Sequence, residues 1–248
     1  MITGLEKFKE HFAAFKNQYV LIGGAACDVH MADNDTSFRA TKDLDLVLLV
    51  EALTPEFGGQ FWDFIRAGQY EHRAKSTGKP QFYRFDKPQT PGYPLMLELF
   101  ARTEMTFENE QECIPLHLAD EVSSLSAILL NDDYYSMLLN GKQEVDGVIV
   151  LSPQYLIPFK AKACLDLSER KAKGEPVDSA DIKKHKNDIA RLTAILTGQE
   201  TVQLPQTVRA EMERFIVQYE ENPVDPKNLK LQGVSKESVL QILKTLYI

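Results

Sequence analysis

Asp43-Leu44-Asp45-Leu46-Val47-Leu48-Leu49-Val50 is the stretch that decides the fold, because its pattern changes along its length. Acidic and apolar residues alternate at first, and the second half is apolar throughout. Side chains two positions apart on a strand point to the same face, so the carboxylates of Asp43 and Asp45 face one space. The pattern predicts a strand whose first half borders an open cleft and whose second half is buried.

Upstream of this strand, Tyr19-Val20-Leu21-Ile22 predicts a short buried strand that ends at Gly23-Gly24. Two glycines allow a sharp turn and let a phosphate approach the amides at the start of a helix. A plain turn is the alternative interpretation. Helices are expected before and after this unit, over residues 4–16 and 25–31, with a loop over 34–41.

Downstream, the sequence predicts a helix over 60–67, strands over 82–85 and 95–100, and two or three strand-like runs within 124–150. From residue 151 onward helical periodicity dominates, over 153–173, 179–197, 205–221 and 235–247. We therefore predict an α/β (α+β) chain with two parts. Residues 1–150 form a mixed sheet flanked by helices, and residues 151–248 form a C-terminal helical part.

Glu98 lies inside the apolar run Leu95-Met96-Leu97-Glu98-Leu99-Phe100. A carboxylate in such a strand is costly to bury unless it is paired, protonated or bound to a metal. A salt bridge to Arg84 or Arg102 is one interpretation. The other makes Glu98 the third member of a cluster with Asp43 and Asp45, which would hold two Mg²⁺ ions for displacement at phosphorus.

Three segments together resemble the DNA polymerase beta-like nucleotidyltransferase superfamily. They are Leu21-Ile22-Gly23-Gly24-Ala25, Arg39-Ala40-Thr41-Lys42-Asp43-Leu44-Asp45-Leu46-Val47, and Met96-Leu97-Glu98-Leu99-Phe100. The signature of the superfamily is a glycine pair after a strand, then DxD or DxE, then an acidic residue on another strand. The closest similarity is to the AbiEii-type toxin and minimal nucleotidyltransferase branches, and it covers about residues 19–100.

The resemblance implies a nucleotidyltransferase-type fold and a role for each matching residue. Gly23 and Gly24 would hold the triphosphate of an NTP, with Arg39 and Lys42 neutralising its charge, although a salt bridge is as good an interpretation for Lys42. The metal ligands would be Asp43, Asp45 and Glu98, and Glu98 would also help to deprotonate the attacking hydroxyl.

The implied activity is Mg²⁺-dependent transfer of NMP from an NTP to a hydroxyl of an RNA, a protein or a small molecule. An AbiE-type toxin-like component would also have a neutralising partner protein. Two alternatives remain. One is a glycosyltransferase that uses DxD to hold a metal and a nucleotide sugar. The other is a nucleotidyltransferase-fold protein that binds a nucleotide or a partner without turnover.

In the helical part, Lys160 falls within an apolar stripe, whereas Lys162 lies 200° away around the helix axis. A lysine in such a stripe either extends out to water or reaches a counter-charge, which here would be the triphosphate. Similarity to AbiEii-like proteins favours Lys160 as a catalytic residue and adds Asp188 to the nucleotide site. His185 would either bind a metal with neighbouring aspartates or make a structural hydrogen bond.

Composition limits the remaining possibilities. The chain of 248 residues has 28 Lys and Arg against 36 Asp and Glu, a net charge of −8 that disfavours broad binding to nucleic acid. Residues 151–198 carry nine basic and six acidic residues, so an RNA contact would use this region. Three cysteines without a CxxC motif favour neither a disulfide framework nor a zinc ribbon, and they favour the cytoplasm. No apolar stretch predicts a signal peptide or a membrane span.

Overall fold

The computed structural model describes residues 2–49, 52, 54–71, 84–100, 105–109, 112–116 and 132–248. The chain divides into two compact units. The first, which we call the sheet unit, comprises Met1–Leu130 and Lys142–Leu151. The second, the helical unit, comprises Asn131–Gly141 and Ser152–Ile248.

The sheet unit is mixed α/β. Its helices are α1 (Leu5–His11), α2 (Gly23–Asp33) and α3 (Pro55–Gly68), with a 3₁₀ turn at Ala13–Gln18. Its strands are β1 (Tyr19–Ile22), β2 (Asp43–Leu48), β3 (Arg84–Asp86), β4 (Met96–Phe100), β5 (Met105–Asn109), β6 (Glu112–Leu116), β7 (Lys142–Val145) and β8 (Val148–Leu151).

Six strands form one mixed sheet in the order β3-β4-β2-β1-β8-β7. β2 is antiparallel to β1 and parallel to β4, and β3 and β7 lie antiparallel at the two edges. β5 and β6 pair separately as an antiparallel hairpin. The strand with the two aspartates is therefore central, between the strand that ends at the glycine pair and the strand that carries Glu98.

The core of the sheet unit is strongly aromatic. The rings of Phe8, Phe12 and Phe64 lie within 4.6–6.0 Å of one another. Phe12 also lies 5.6 Å from the ring of Phe57 in α3. α3 begins at Pro55, and the side chain of Thr54 accepts a hydrogen bond from the amide of Phe57 at 3.3 Å. A proline in the first turn and a threonine N-cap both favour a helix start there, which explains why α3 begins before residue 60.

The helical unit contains α4 (Asp132–Gly141), α5 (Pro153–Ala172), α6 (Ser179–Thr193), α7 (Gln206–Glu221) and α8 (Lys236–Tyr247), with a 3₁₀ turn at Pro226–Leu229. The four helices predicted after residue 151 are confirmed, with α6 ending earlier than expected. Large side chains such as Phe215, Tyr219 and Tyr247 are fully buried and form its core.

Two strands, β7 and most of β8, lie within the range 124–150 for which two or three strand-like runs were predicted, and the final run at 148–150 is confirmed as part of β8. The same range also contains the helix α4, which was not predicted. Residues 124–131 and the first half of the strand predicted at 82–85 lie outside the described residues. Among the helices in the described part of the chain, none combines the length and apolarity needed to cross a membrane.

Candidate active site

The glycine pair Gly23-Gly24, which we call the glycine turn, lies directly against β2, the strand that carries Asp43 and Asp45. β1 ends at Ile22, and α2 begins at once with Gly23, whose φ is +66°. A Cβ at Gly23 would overlap Oδ2 of Asp45 and would lie 2.9 Å from its Cγ. Only glycine suits this position, because it accepts the left-handed backbone and leaves room for the carboxylate.

The second glycine is equally confined. A Cβ at Gly24 would lie 2.7 Å from Oγ1 of Thr41 and 3.4 Å from Nη2 of Arg39. The segment before β2 therefore folds back onto the start of α2 and brings a guanidinium and a hydroxyl to it. Thr41 belongs to the segment that resembles the superfamily, but the sequence analysis gave it no role of its own.

The two aspartates have the alternation expected of a half-exposed strand. Asp43 and Asp45 are partly accessible, whereas Leu44 and Leu46 are buried. Asp45 is paired in register with Ile22, the last residue of β1. Both carboxylates therefore emerge on one face, at the end of the sheet where α2 begins. The helix start adds amide donors and a partial positive charge to the same region.

Glu98 is the neighbour of Asp45 on the next strand. The two residues are paired in the parallel register of β2 and β4, and Glu98 is in turn paired with Arg84 on β3. Nε of Arg84 donates to Oε1 of Glu98 at 2.6 Å. The side chain of Glu98 is 16% exposed. Of the two salt-bridge partners considered from the sequence, Arg84 is the one observed, and Arg102 lies outside the described residues.

The donor set is suited to a hard cation at the aspartates. Carboxylate oxygens that are partly accessible and share a face are the ligands that Mg²⁺ prefers. Within the described residues, however, no three His, Cys, Asp or Glu side chains are grouped as a metal site. Asp43 and Asp45 offer carboxylate oxygens on one face for a cation, whereas Glu98 would have to give up its pair with Arg84 to bind one.

The two cationic residues before β2 differ in their surroundings. The guanidinium of Arg39 stacks over the ring of Phe38 at 5.0 Å and lies near Gly24, as noted above. Lys42 is exposed, and it makes no ion pair with any residue that the structure describes. Arg39 is thus held close to the glycine turn, and Lys42 projects into solvent beside Asp43.

Two other residues predicted for the site lie together in the helical unit. Nζ of Lys160 donates to Oδ2 of Asp188 at 2.9 Å, and their side chains are 6% and 0% exposed. Nη1 of Arg191 lies 3.9 Å from the other carboxylate oxygen. Of the two outcomes expected for a lysine in an apolar stripe, Lys160 shows the second, because it reaches a counter-charge. In this structure the counter-charge is the carboxylate of Asp188.

Lys162 and His185 complete the set discussed from the sequence. Lys162 pairs with Glu211 at 2.6 Å and with Asp166 at 3.2 Å, on the more accessible side of α5. His185 is half-buried, and the described part of the chain contains no metal cluster that would include it. The different environments of Lys160 and Lys162 agree with the helical phase deduced from the sequence.

Comparison of the chain with protein-family models, curated proteins and solved structures finds no match.

Proposed function

We propose that this protein is a Mg²⁺-dependent nucleotidyltransferase of the polymerase beta-like type, closest to the AbiEii branch. The observation that carries the proposal is the contact between Gly23 and the carboxylate of Asp45. A glycine turn by itself indicates only a sharp bend in the chain. A DxD strand by itself indicates only a pair of carboxylates on one face. Their direct apposition supports a site in which a triphosphate on the turn lies beside carboxylates able to hold its metal.

The reaction would be in-line transfer of a nucleotide. An acceptor hydroxyl attacks the α-phosphorus of the NTP and forms a new P–O bond, while the bond to the bridging oxygen breaks and pyrophosphate leaves. Mg²⁺, when bound, would neutralise charge on the attacking and leaving oxygens. Asp43 and Asp45 would hold it, Arg39 and the amides of Gly23 and Gly24 would bind phosphate oxygens, and Glu98 would accept the hydroxyl proton.

The same proposal covers the acceptor of the nucleotide, the partner protein and the cellular compartment. The acceptor is an RNA, a protein or a small molecule, and the basic region 151–198 supports an RNA contact. An AbiE-type relationship would add a neutralising partner protein. Cys27 and Cys164 are buried thiols, which is compatible with the cytoplasm.

A second candidate function rests on the pair between Arg84 and Glu98. A protein whose third carboxylate stays paired with Arg84 would bind Mg²⁺ and an NTP at Asp43 and Asp45 without transferring the nucleotide. The two candidates agree on binding and differ in turnover. Incubation with each labelled NTP, Mg²⁺ and a cell lysate distinguishes them, because only the enzyme transfers label to an acceptor.

Binding itself is tested by thermal unfolding. Mg²⁺ with an NTP should raise the melting temperature, since a ligand that binds the folded state stabilises it. Asp43→Asn with Asp45→Asn should abolish this rise and leave the protein without ligand folded, because each amide keeps the shape of the carboxylate it replaces.

The matched control is Asp63→Asn with Asp146→Asn, which removes two exposed carboxylates from the same unit. It should keep the full rise in melting temperature. A full rise in the Asp43/Asp45 variant would rule out this metal site.

A further inference from the structure

The helical unit contains a pocket that lies apart in sequence from the residues of the carboxylate site. Its volume is ≈ 610 Å³, and it lies between the first half of α6 and the segment that follows α7. This size is within the range of about 300–1,000 Å³ common for small-molecule sites. It is far larger than an inorganic anion requires, so its occupant would be an organic molecule.

One wall of the pocket is cationic. Lys183 and Lys186 both line it from α6. They are three residues apart and so share one face of the helix. Neither makes an ion pair with another residue in the described part of the chain. Two like charges on one face are mildly unfavourable for the helix, and an anion between them would remove that repulsion.

The one carboxylate among the lining residues is already engaged. Asp225 accepts a hydrogen bond from the amide of Lys227 at 3.0 Å and so caps the 3₁₀ turn Pro226–Leu229. That turn packs against α6. The wall opposite the lysines is therefore a turn held by its own hydrogen bonds. With two lysines and one aspartate, the lining of the pocket carries a net positive charge.

The rest of the lining combines amides with apolar surface. Asn187, Asn222 and Asn228 each offer a carboxamide, which both donates and accepts hydrogen bonds. Ile182, Val224 and Leu229 supply apolar area. A planar heterocycle needs both features, because its faces are apolar and its edges carry donors and acceptors.

We propose that this pocket binds a nucleotide, with the phosphate at Lys183 and Lys186 and the base against Ile182, Val224 and Leu229. The nucleotide is either a free mononucleotide or one unit of an RNA strand, because both present the same phosphate and base. The pocket shares no residue with the carboxylate site, and nucleotide binding there does not require the transfer reaction.

The test is calorimetric titration of the full chain in EDTA, so that metal-dependent binding at Asp43 and Asp45 does not contribute. The probes are the four ribonucleoside monophosphates, adenosine, inorganic phosphate and a short single-stranded RNA. A mononucleotide should bind more tightly than either adenosine or phosphate alone, since each of these makes only part of the contacts.

Two variants on adjacent helix positions make the test specific. Lys183→Gln with Lys186→Gln should weaken binding at least tenfold, whereas Lys184→Gln should change it less than twofold. Lys184 is the matched control because it is exposed on the same helix and does not line the pocket.

Each outcome decides the proposal. Lysine-dependent binding of a mononucleotide supports it with a free nucleotide as the ligand, and lysine-dependent binding of the oligonucleotide alone supports it with RNA as the ligand. Absence of binding by both probes, or equal losses in the Lys183/Lys186 and Lys184 variants, overturns it. Adding Asp43→Asn and Asp45→Asn should leave the affinity unchanged, so failure of the transfer proposal would not affect this result.

Discussion

Lys160 and Asp188 form an ion pair that joins α5 to α6 inside the core of the helical unit, with Nζ 2.9 Å from Oδ2. Both side chains are almost completely removed from water. Removing Lys160 takes from the buried Asp188 the counter-charge at 2.9 Å and leaves Arg191 at 3.9 Å, and breaking a buried pair in this way is destabilising. The pair therefore gives Lys160 a structural role, whatever its part in nucleotide binding.

Lys160→Met should lower the free energy of unfolding by about 3–5 kcal/mol, the usual result of breaking a buried pair. Lys162→Met, on the more accessible side of the same helix, should cost about 1 kcal/mol or less. Urea denaturation measures both. Combining Lys160→Met with Asp188→Asn should give a coupling energy of about 0.5–3 kcal/mol, and strictly additive effects would contradict a direct interaction.

The nucleotide role of Lys160 remains a prediction that stability data alone do not address. Mg·NTP affinity per folded molecule of Lys160→Met, measured by calorimetric titration, separates the two roles. A variant that is destabilised but binds normally would restrict Lys160 to holding the helices together.

The contact between Gly23 and Asp45 gives a sharper test of the site. Gly23→Ala should abolish the rise in melting temperature caused by Mg²⁺ and an NTP, because the new methyl group displaces the carboxylate of Asp45. Forcing a left-handed backbone on alanine also costs roughly 1–2 kcal/mol. That cost needs its own control.

Gly147 provides this control. Its φ of +78° imposes the same backbone strain on alanine, but a Cβ there would meet nothing within 4 Å. Gly147→Ala should lose comparable stability and keep the full response to Mg²⁺ and an NTP. If both variants respond alike, the glycine turn is not part of the nucleotide site.

The sequence predicted the elements around the site well because their signals are local. Alternation at Asp43–Asp45 and the glycine pair after Ile22 each depend on a few consecutive residues. The pairing of Asp45 with Glu98 is different, since it depends on which strands become neighbours and in what register. Nothing within residues 43–48 or 96–100 specifies that register.

The helix α4 was not predicted from the sequence. Positions 134, 138 and 141 form one face of this helix, and all three are buried. The acidic pair Asp132 and Asp133 before them favours a helix start, through the positive end of its dipole.

His30 predicts a pH dependence of stability in the sheet unit. Burial lowers the pKa of His30, against smaller opposing effects from the hydrogen bond to Leu151 and the charge of Asp33. Nε2 lies 2.9 Å from the carbonyl oxygen of Leu151, and since a carbonyl only accepts, Nε2 carries the proton of the neutral ring.

The direction of the effect follows from linkage. Above about pH 6.5 the ring is neutral in both the folded and the unfolded state, so it adds no pH dependence. Below that pH the unfolded chain takes up a proton that the folded chain does not, and stability falls until the lowered folded pKa is passed. Urea midpoints between pH 8 and 5 should therefore fall less in His30→Gln than in wild type. An unchanged slope in His30→Gln would contradict the assignment.

Arg84 is paired with Glu98, the proposed third metal ligand. Its pair with Glu98 is partly exposed, with Arg84 36% and Glu98 16% accessible, so Arg84→Gln should change the free energy of unfolding by less than about 1 kcal/mol. The same change removes a positive charge beside Glu98, which then presents an uncompensated carboxylate next to Asp45. Affinity for Mg²⁺ at a fixed NTP concentration should rise severalfold, measured by calorimetric titration.

Arg66→Gln, which breaks the exposed pair with Asp63 in the same unit, is the matched control and should leave Mg²⁺ affinity unchanged. Weaker Mg²⁺ binding in Arg84→Gln would instead identify Arg84 as a phosphate ligand, and equal binding would mean that Glu98 does not take part in the metal site.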